Sequence, residues 1–176
     1  MARKLSFTAG CLLELVLLVF AFVWCWLLHQ SALGDIHWSF TSALVGILAS
    51  VPPLGFFLWT LNSRLHVWTQ HKQLMEGLIR PLLGNWSLWQ LFIISLAAGL
   101  SEEAFFRGAI QGSLADRMNV IWAVVLASGL FGAAHLLTWT YALFAALIGV
   151  YLGLLWIWTG NLLTPCLLYT SPSPRD

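Results

Sequence analysis

Long apolar runs separated by short polar stretches dominate the chain, and this pattern predicts helices rather than strands. After Arg3 and Lys4, the run from Cys11 to Leu28 is about long enough to cross a hydrocarbon core of roughly 30 Å as a helix. It contains Trp24 and Trp26 and leads into more membrane-grade sequence, so it reads as a retained span rather than a cleaved signal peptide. Glu14, near its start, is expected to sit at head-group level or to pair within the bundle. Phe40 to Leu61 forms a second run, interrupted by Pro52 and Pro53, which predict a kinked span. Residues 1–61 thus read as an N-terminal hairpin.

Polarity then rises across residues 62–85, where Arg64, His66, His71, Lys72, Glu76 and Arg80 alternate with Leu65, Trp68, Met75, Leu78 and Leu82 at helical spacing. That stretch reads as an interfacial amphipathic linker, and its basic residues with Arg3 and Lys4 place it and the N-terminus on the cytoplasmic side. From Trp86 the helical pattern runs on to Leu114 without a proline, predicting one long helix. Val120 to Leu137 and Tyr141 to Trp158 are further spans, and an apolar stretch from Asn161 stops after Leu168. The expected fold is all-α, a multi-pass transmembrane bundle of about five full spans with a shortened sixth; residues 86–168 form its core and 169–176 a tail. Tryptophans near run ends, Trp38, Trp59, Trp86, Trp139 and Trp158, are expected as interface anchors.

Composition sharpens this picture. Of 176 residues, 60% are hydrophobic and 9% charged, against about 25% charged in an ordinary soluble domain. The partner of most of this surface is therefore membrane lipid. A net charge of +1 provides no basic field for nucleic acid, which is excluded as a partner. Cys11, Cys25 and Cys166 lie singly in apolar surroundings and read as packing residues.

Against that background, Ser101-Glu102-Glu103-Ala104-Phe105-Phe106-Arg107 is anomalous, because each charge near a bilayer centre costs roughly 2.5 to 3.5 kcal/mol. At about 100° per residue, Arg107 lies about 40° around the helix from Glu103 but about 140° from Glu102, so Glu103 is its expected partner. A carboxylate set in apolar surroundings apart from that pair is a candidate proton acceptor, which singles out Glu102. Ser95, Ala98, Gly99 and Ala109 share its face and are expected to admit a neighbouring helix closely. His135 is the histidine inside a clear membrane run, with the small residues Ser128 and Gly132 on its face. Glu102 and His135 are thus expected on either side of one water molecule, a hydrolytic arrangement.

Glu102-Glu103-x-x-x-Arg107 followed one helix later by Phe131-x-x-x-His135 resembles the first two motifs of the CPBP family, the type II CAAX prenyl endopeptidases and Abi-type or bacteriocin-processing membrane proteins. Gly160-Asn161-Leu162-Leu163-Thr164-Pro165 is similar to the lead-in of its third motif, but Tyr169 stands where that motif's His would fall. The ending Ser-Pro-Ser-Pro-Arg-Asp reads as foreign to a membrane helix, and the chain as truncated. The resemblance implies an intramembrane endopeptidase of the cell membrane acting on membrane-bound or lipidated peptides. It implies Glu102 as general base, His135 as the residue holding and polarising the water, and Glu103 with Arg107 as the supporting pair. A divalent metal such as zinc is the alternative to an unassisted water, with Glu102, Glu103 and His135 as acceptable ligands. The two glutamates lie about 100° apart on the helix, which disfavours it. A non-catalytic immunity or scaffold protein of the same fold, its last motif missing, is the alternative function. A proton-coupled transporter would show an internal two-fold repeat, which this sequence lacks.

Overall fold

The structure is a computed structural model that describes residues 6–63, 68, 69, 73, 76, 77, 80–83 and 86–168. Among them there is no strand. Helix α1 spans Phe7–Leu27, α2 Phe40–Asn62, α3 the single turn Arg80–Leu83, and α4 Leu88–Ala115. Helices α5, Val120–Ala134, and α6, Trp139–Thr159, form a closely packed pair, and α7 is the short piece Leu163–Leu167. Four helices, α1, α2, α4 and α6, are long and apolar enough to cross a membrane, while α5 is apolar but shorter, at 15 residues. Most of the linker and the whole tail lie outside the described residues, as does Tyr169.

Polar side chains set where the helices begin, because the first turn of each leaves backbone N–H groups that hydrocarbon cannot satisfy. The hydroxyls of Ser6, Ser39 and Thr138 accept from the backbone N–H groups of Ala9, Ser42 and Tyr141. Ser87 and Gln90 cap α4 reciprocally. Asn119 starts α5 in the same way, accepting from the N–H of Ile121. Gly160 closes α6 at φ 61°, a left-handed conformation that favours glycine.

Helix α2 continues through Pro52 and Pro53. Pro53 has no N–H for the carbonyl of Ala49, and the hydroxyl of Tyr151 on α6 donates to that carbonyl at 2.8 Å. The break in one helix is thereby turned into a tie to another. Beyond the C-terminus of α6, the Asn161 amide accepts from His37 and Leu163 N–H groups and donates to the His37 carbonyl and the Ser42 hydroxyl.

Several sequence expectations are corrected. Trp86 is buried, edge-on to Phe7 at 5.5 Å and close over Gly10, because the chain turns inward there before α4. Trp38, Trp139 and Trp158 remain widely exposed. Helix α5 stops at Ala134 instead of Leu137, since Thr138 begins the next cap only four residues later. The small residues also meet other neighbours than expected. Ala109 packs with Ala21 and Cys25 of α1, while a Cβ on Gly132 would lie 2.7 Å from the Ala142 carbonyl of α6.

Candidate functional site

Helix α4 changes character where its charges begin. From Glu103 to Gln111 it is a π-helix, whose hydrogen bonds reach one residue further than in an α-helix. Such widened segments recur at functional sites. Glu103, Arg107 and Gln111, spaced by four, form a polar column that is almost completely buried. Arg107 Nη1 lies 3.0 Å from Glu103 Oε1, and Nη2 donates to the Gly149 carbonyl of α6 at 3.0 Å. Its guanidinium carbon also lies 4.7 Å from the centre of the Phe131 ring on α5, a cation–π arrangement. One turn further along, Gln111 Nε2 donates to the Gly153 carbonyl at 3.3 Å. Two glycines four apart on α6 thus expose the carbonyls that two polar side chains four apart on α4 require.

Glu102 sits just before the π segment, half-buried, with Oε1 3.9 Å from His135 Nε2. His135 is the C-cap residue of α5, and its Nδ1 lies 2.8 Å from the Phe131 carbonyl one turn back. A carbonyl can only accept, so this contact assigns the proton of the neutral ring to Nδ1 and leaves the Nε2 lone pair directed toward Glu102. The Phe131 ring packs on His135 with centroids 4.4 Å apart, and Phe106 packs edge-on to Phe131 at 4.9 Å. The aromatic pair Phe106–Phe131, rather than the strip of small residues, is what joins α4 to α5 beside the site. On its other side His135 faces Tyr141, in the first turn of α6, at 6.0 Å between ring centroids.

All four sequence-predicted residues therefore lie on adjoining stretches of α4 and α5, as two pairs. Glu103 with Arg107 is buried, and Glu102 with His135 is partly accessible. Two acceptor atoms 3.9 Å apart can share one water about 2.8 Å from each, the roughly 90° they subtend there asking for hydrogen bonds bent modestly from the ~105° between its O–H bonds. Among the described residues no three His, Cys, Asp or Glu side chains converge as a metal set, and Glu103 is turned toward Arg107. Zinc does not fit these donors.

A family model described as type II CAAX prenyl endopeptidase Rce1-like matches residues 84–171, half of the chain. The chain belongs to this family. It is an integral membrane protein of protease ancestry, and the matched segment contains Glu102, Glu103, Arg107 and His135. No curated protein and no solved structure matches the chain.

Sequence reasoning overlooked one feature of the Rce1-like core. Gln111 extends the buried column, and its signal was the match between the Arg107/Gln111 spacing and Gly149-x-x-x-Gly153. Of the two positions expected for Glu14, the structure shows the second: Ser101 donates to Glu14 Oε2 of α1 at 2.5 Å, so Glu14 pairs inside the bundle next to Glu102.

Proposed function

We propose that this protein is an intramembrane endopeptidase of the cell membrane that cleaves membrane-associated peptides, with prenylated CAAX-type termini as the substrate class its family points to. The observation that carries the reading is the 3.9 Å approach of Glu102 Oε1 to His135 Nε2, with the other ring nitrogen engaged by the Phe131 carbonyl. Water donates one O–H to Nε2 and the other to Glu102. Glu102 takes its proton as the water oxygen adds to the peptide carbonyl carbon, and later returns that proton to the leaving nitrogen. Glu103 and Arg107 do not touch the water in this scheme. They fix the helix that carries Glu102 and, through Phe131, the helix that carries His135.

The test is hydrolysis of a farnesylated CAAX peptide by the purified protein in liposomes, comparing wild type with Glu102→Gln. Removing a general base is expected to lower kcat by roughly 100- to 10,000-fold. An unchanged rate would remove Glu102 from the mechanism. A wild-type protein that cleaves neither lipidated nor plain membrane peptides would instead favour a binding or scaffold role on the same fold.

A further inference from the structure

Resting on that hydrolytic reading, the shared water makes the site sensitive to how α4 is turned about its own axis. Glu102 and His135 belong to different helices, and one water must reach acceptor atoms 3.9 Å apart. We propose that Glu14 of α1 is a positioning residue for this reaction: by holding Ser101 it fixes the rotation of α4, and so the direction in which Glu102 presents its carboxylate to His135.

Three observations carry the assignment. First, the grip lies next to the base. The buried Ser101 hydroxyl donates to Glu14 Oε2 at 2.5 Å, while the Ala98 carbonyl of its own helix lies farther away, at 3.3 Å. The shorter contact ties α4 to α1 rather than closing on α4 itself. Second, the grip sits where the helix changes type. The α-helical part of α4 ends at Glu102 and the π segment begins at Glu103. Ser101 and Glu102 stand about 100° apart around the axis, so the side chain that meets α1 sets the heading of the one that meets α5. Third, α1 follows the π segment onward from that point. Its Ala21 and Cys25 pack with Ala104 and Ala109, and Trp24 Nε1 donates to the Ser113 hydroxyl at 3.1 Å. Glu14 is a carboxyl group in a mostly apolar span, where leucine would insert at less cost.

The lever is long enough to matter. Side-chain tips stand about 5 to 6 Å from a helix axis, so a rotation of about 10° moves one by about 1 Å. A displacement of that size at a reacting group can cost about 100-fold in rate. In this role Glu14 exchanges no proton with water or substrate.

The experiment uses the full chain in liposomes and the same farnesylated peptide. Glu14→Ala is expected to lower kcat about 10- to 100-fold with KM essentially unchanged, and Glu14→Gln, whose amide oxygen still accepts from Ser101, to restore it. Ser101→Ala should match Glu14→Ala, and the double variant should be no slower than either alone. Trp24→Phe, which cuts a second tie between the two helices farther from Glu102, should keep the wild-type kcat. A wild-type kcat in Glu14→Ala overturns the proposal. So does a rate in Glu14→Gln as low as in Glu14→Ala, or an equal loss in Trp24→Phe, which would mean that any loosening of α1 suffices. Should Glu14→Ala not fold, Glu14→Gln is compared with Glu14→Leu, which has no acceptor; equal rates for the two overturn it as well. Failure of the underlying reading is distinguishable. Full activity in Glu102→Gln strikes the base assignment, whereas an inactive Glu102→Gln beside a fully active Glu14→Ala strikes Glu14 alone. If the wild type cleaves no peptide, the nitrogen NMR resonance of His135 Nε2 in bilayers still reads the positioning. It should move in Glu14→Ala and return in Glu14→Gln, and a resonance unmoved in both overturns the proposal.

Discussion

Arg107 shows how much a single side chain can hold together in a medium without water. Its guanidinium meets a carboxylate, a backbone carbonyl and an aromatic face belonging to three different helices. Arg107→Ala would leave the Glu103 carboxylate buried without its counter-charge, which is expected to destabilise the protein by about 3 to 5 kcal/mol. Thermal unfolding in detergent would measure this. Lys should not rescue it, because an ammonium lacks the planar fork that serves Glu103 and Gly149 together. The Glu103 partnership was readable from spacing alone, since residues four apart are neighbours on any helix. The Gly149 and Phe131 contacts were not, because they depend on which helix lies opposite.

At the scale of elements, the site depends on how closely α5 lies against α6. A Cβ at Gly132 would come within 2.7 Å of the Ala142 carbonyl and 2.8 Å of the Ala146 Cβ, so even alanine must push the two helices apart. His135 follows three residues later. Gly132→Ala is expected to reduce kcat by about 100-fold through misplacement of the ring, more than its stability cost of about 1 to 3 kcal/mol would suggest. Gly129, one turn earlier, has open space where a Cβ would stand, and Gly129→Ala should keep wild-type activity and gain up to about 1 kcal/mol of helix stability. Parallel activity and melting measurements on the two variants would check both outcomes. Periodicity located these helices to within a few residues. The π segment escaped it, because Glu103 to Gln111 reads as ordinary helix in composition and its widening answers to tertiary demands of the buried column.

Over the whole molecule, the outline was legible because lipid leaves a coarse signature. Runs of Leu, Val, Phe and Trp on α1 and α2 stay exposed on the outside of the bundle, while the largest buried polar side chains among the described residues gather in the column. The tie between Tyr151 and the Ala49 carbonyl was hidden, since a proline announces a missing donor without saying who replaces it. The brevity of α5 has a further effect. Its 15 residues measure about 22 Å, and Ile121, Trp122, Val125, Leu126 and Leu130 face outward along it. A bilayer that thins beside it, in a dimple, would bring head groups and their hydration toward His135 at the helix end. Peptide hydrolysis should therefore slow as the protein is moved into vesicles of longer-chain lipids, with its melting behaviour little altered, and rates insensitive to chain length would argue against the dimple. If the proposed hydrolysis holds, membrane thickness itself becomes a control on where it takes place.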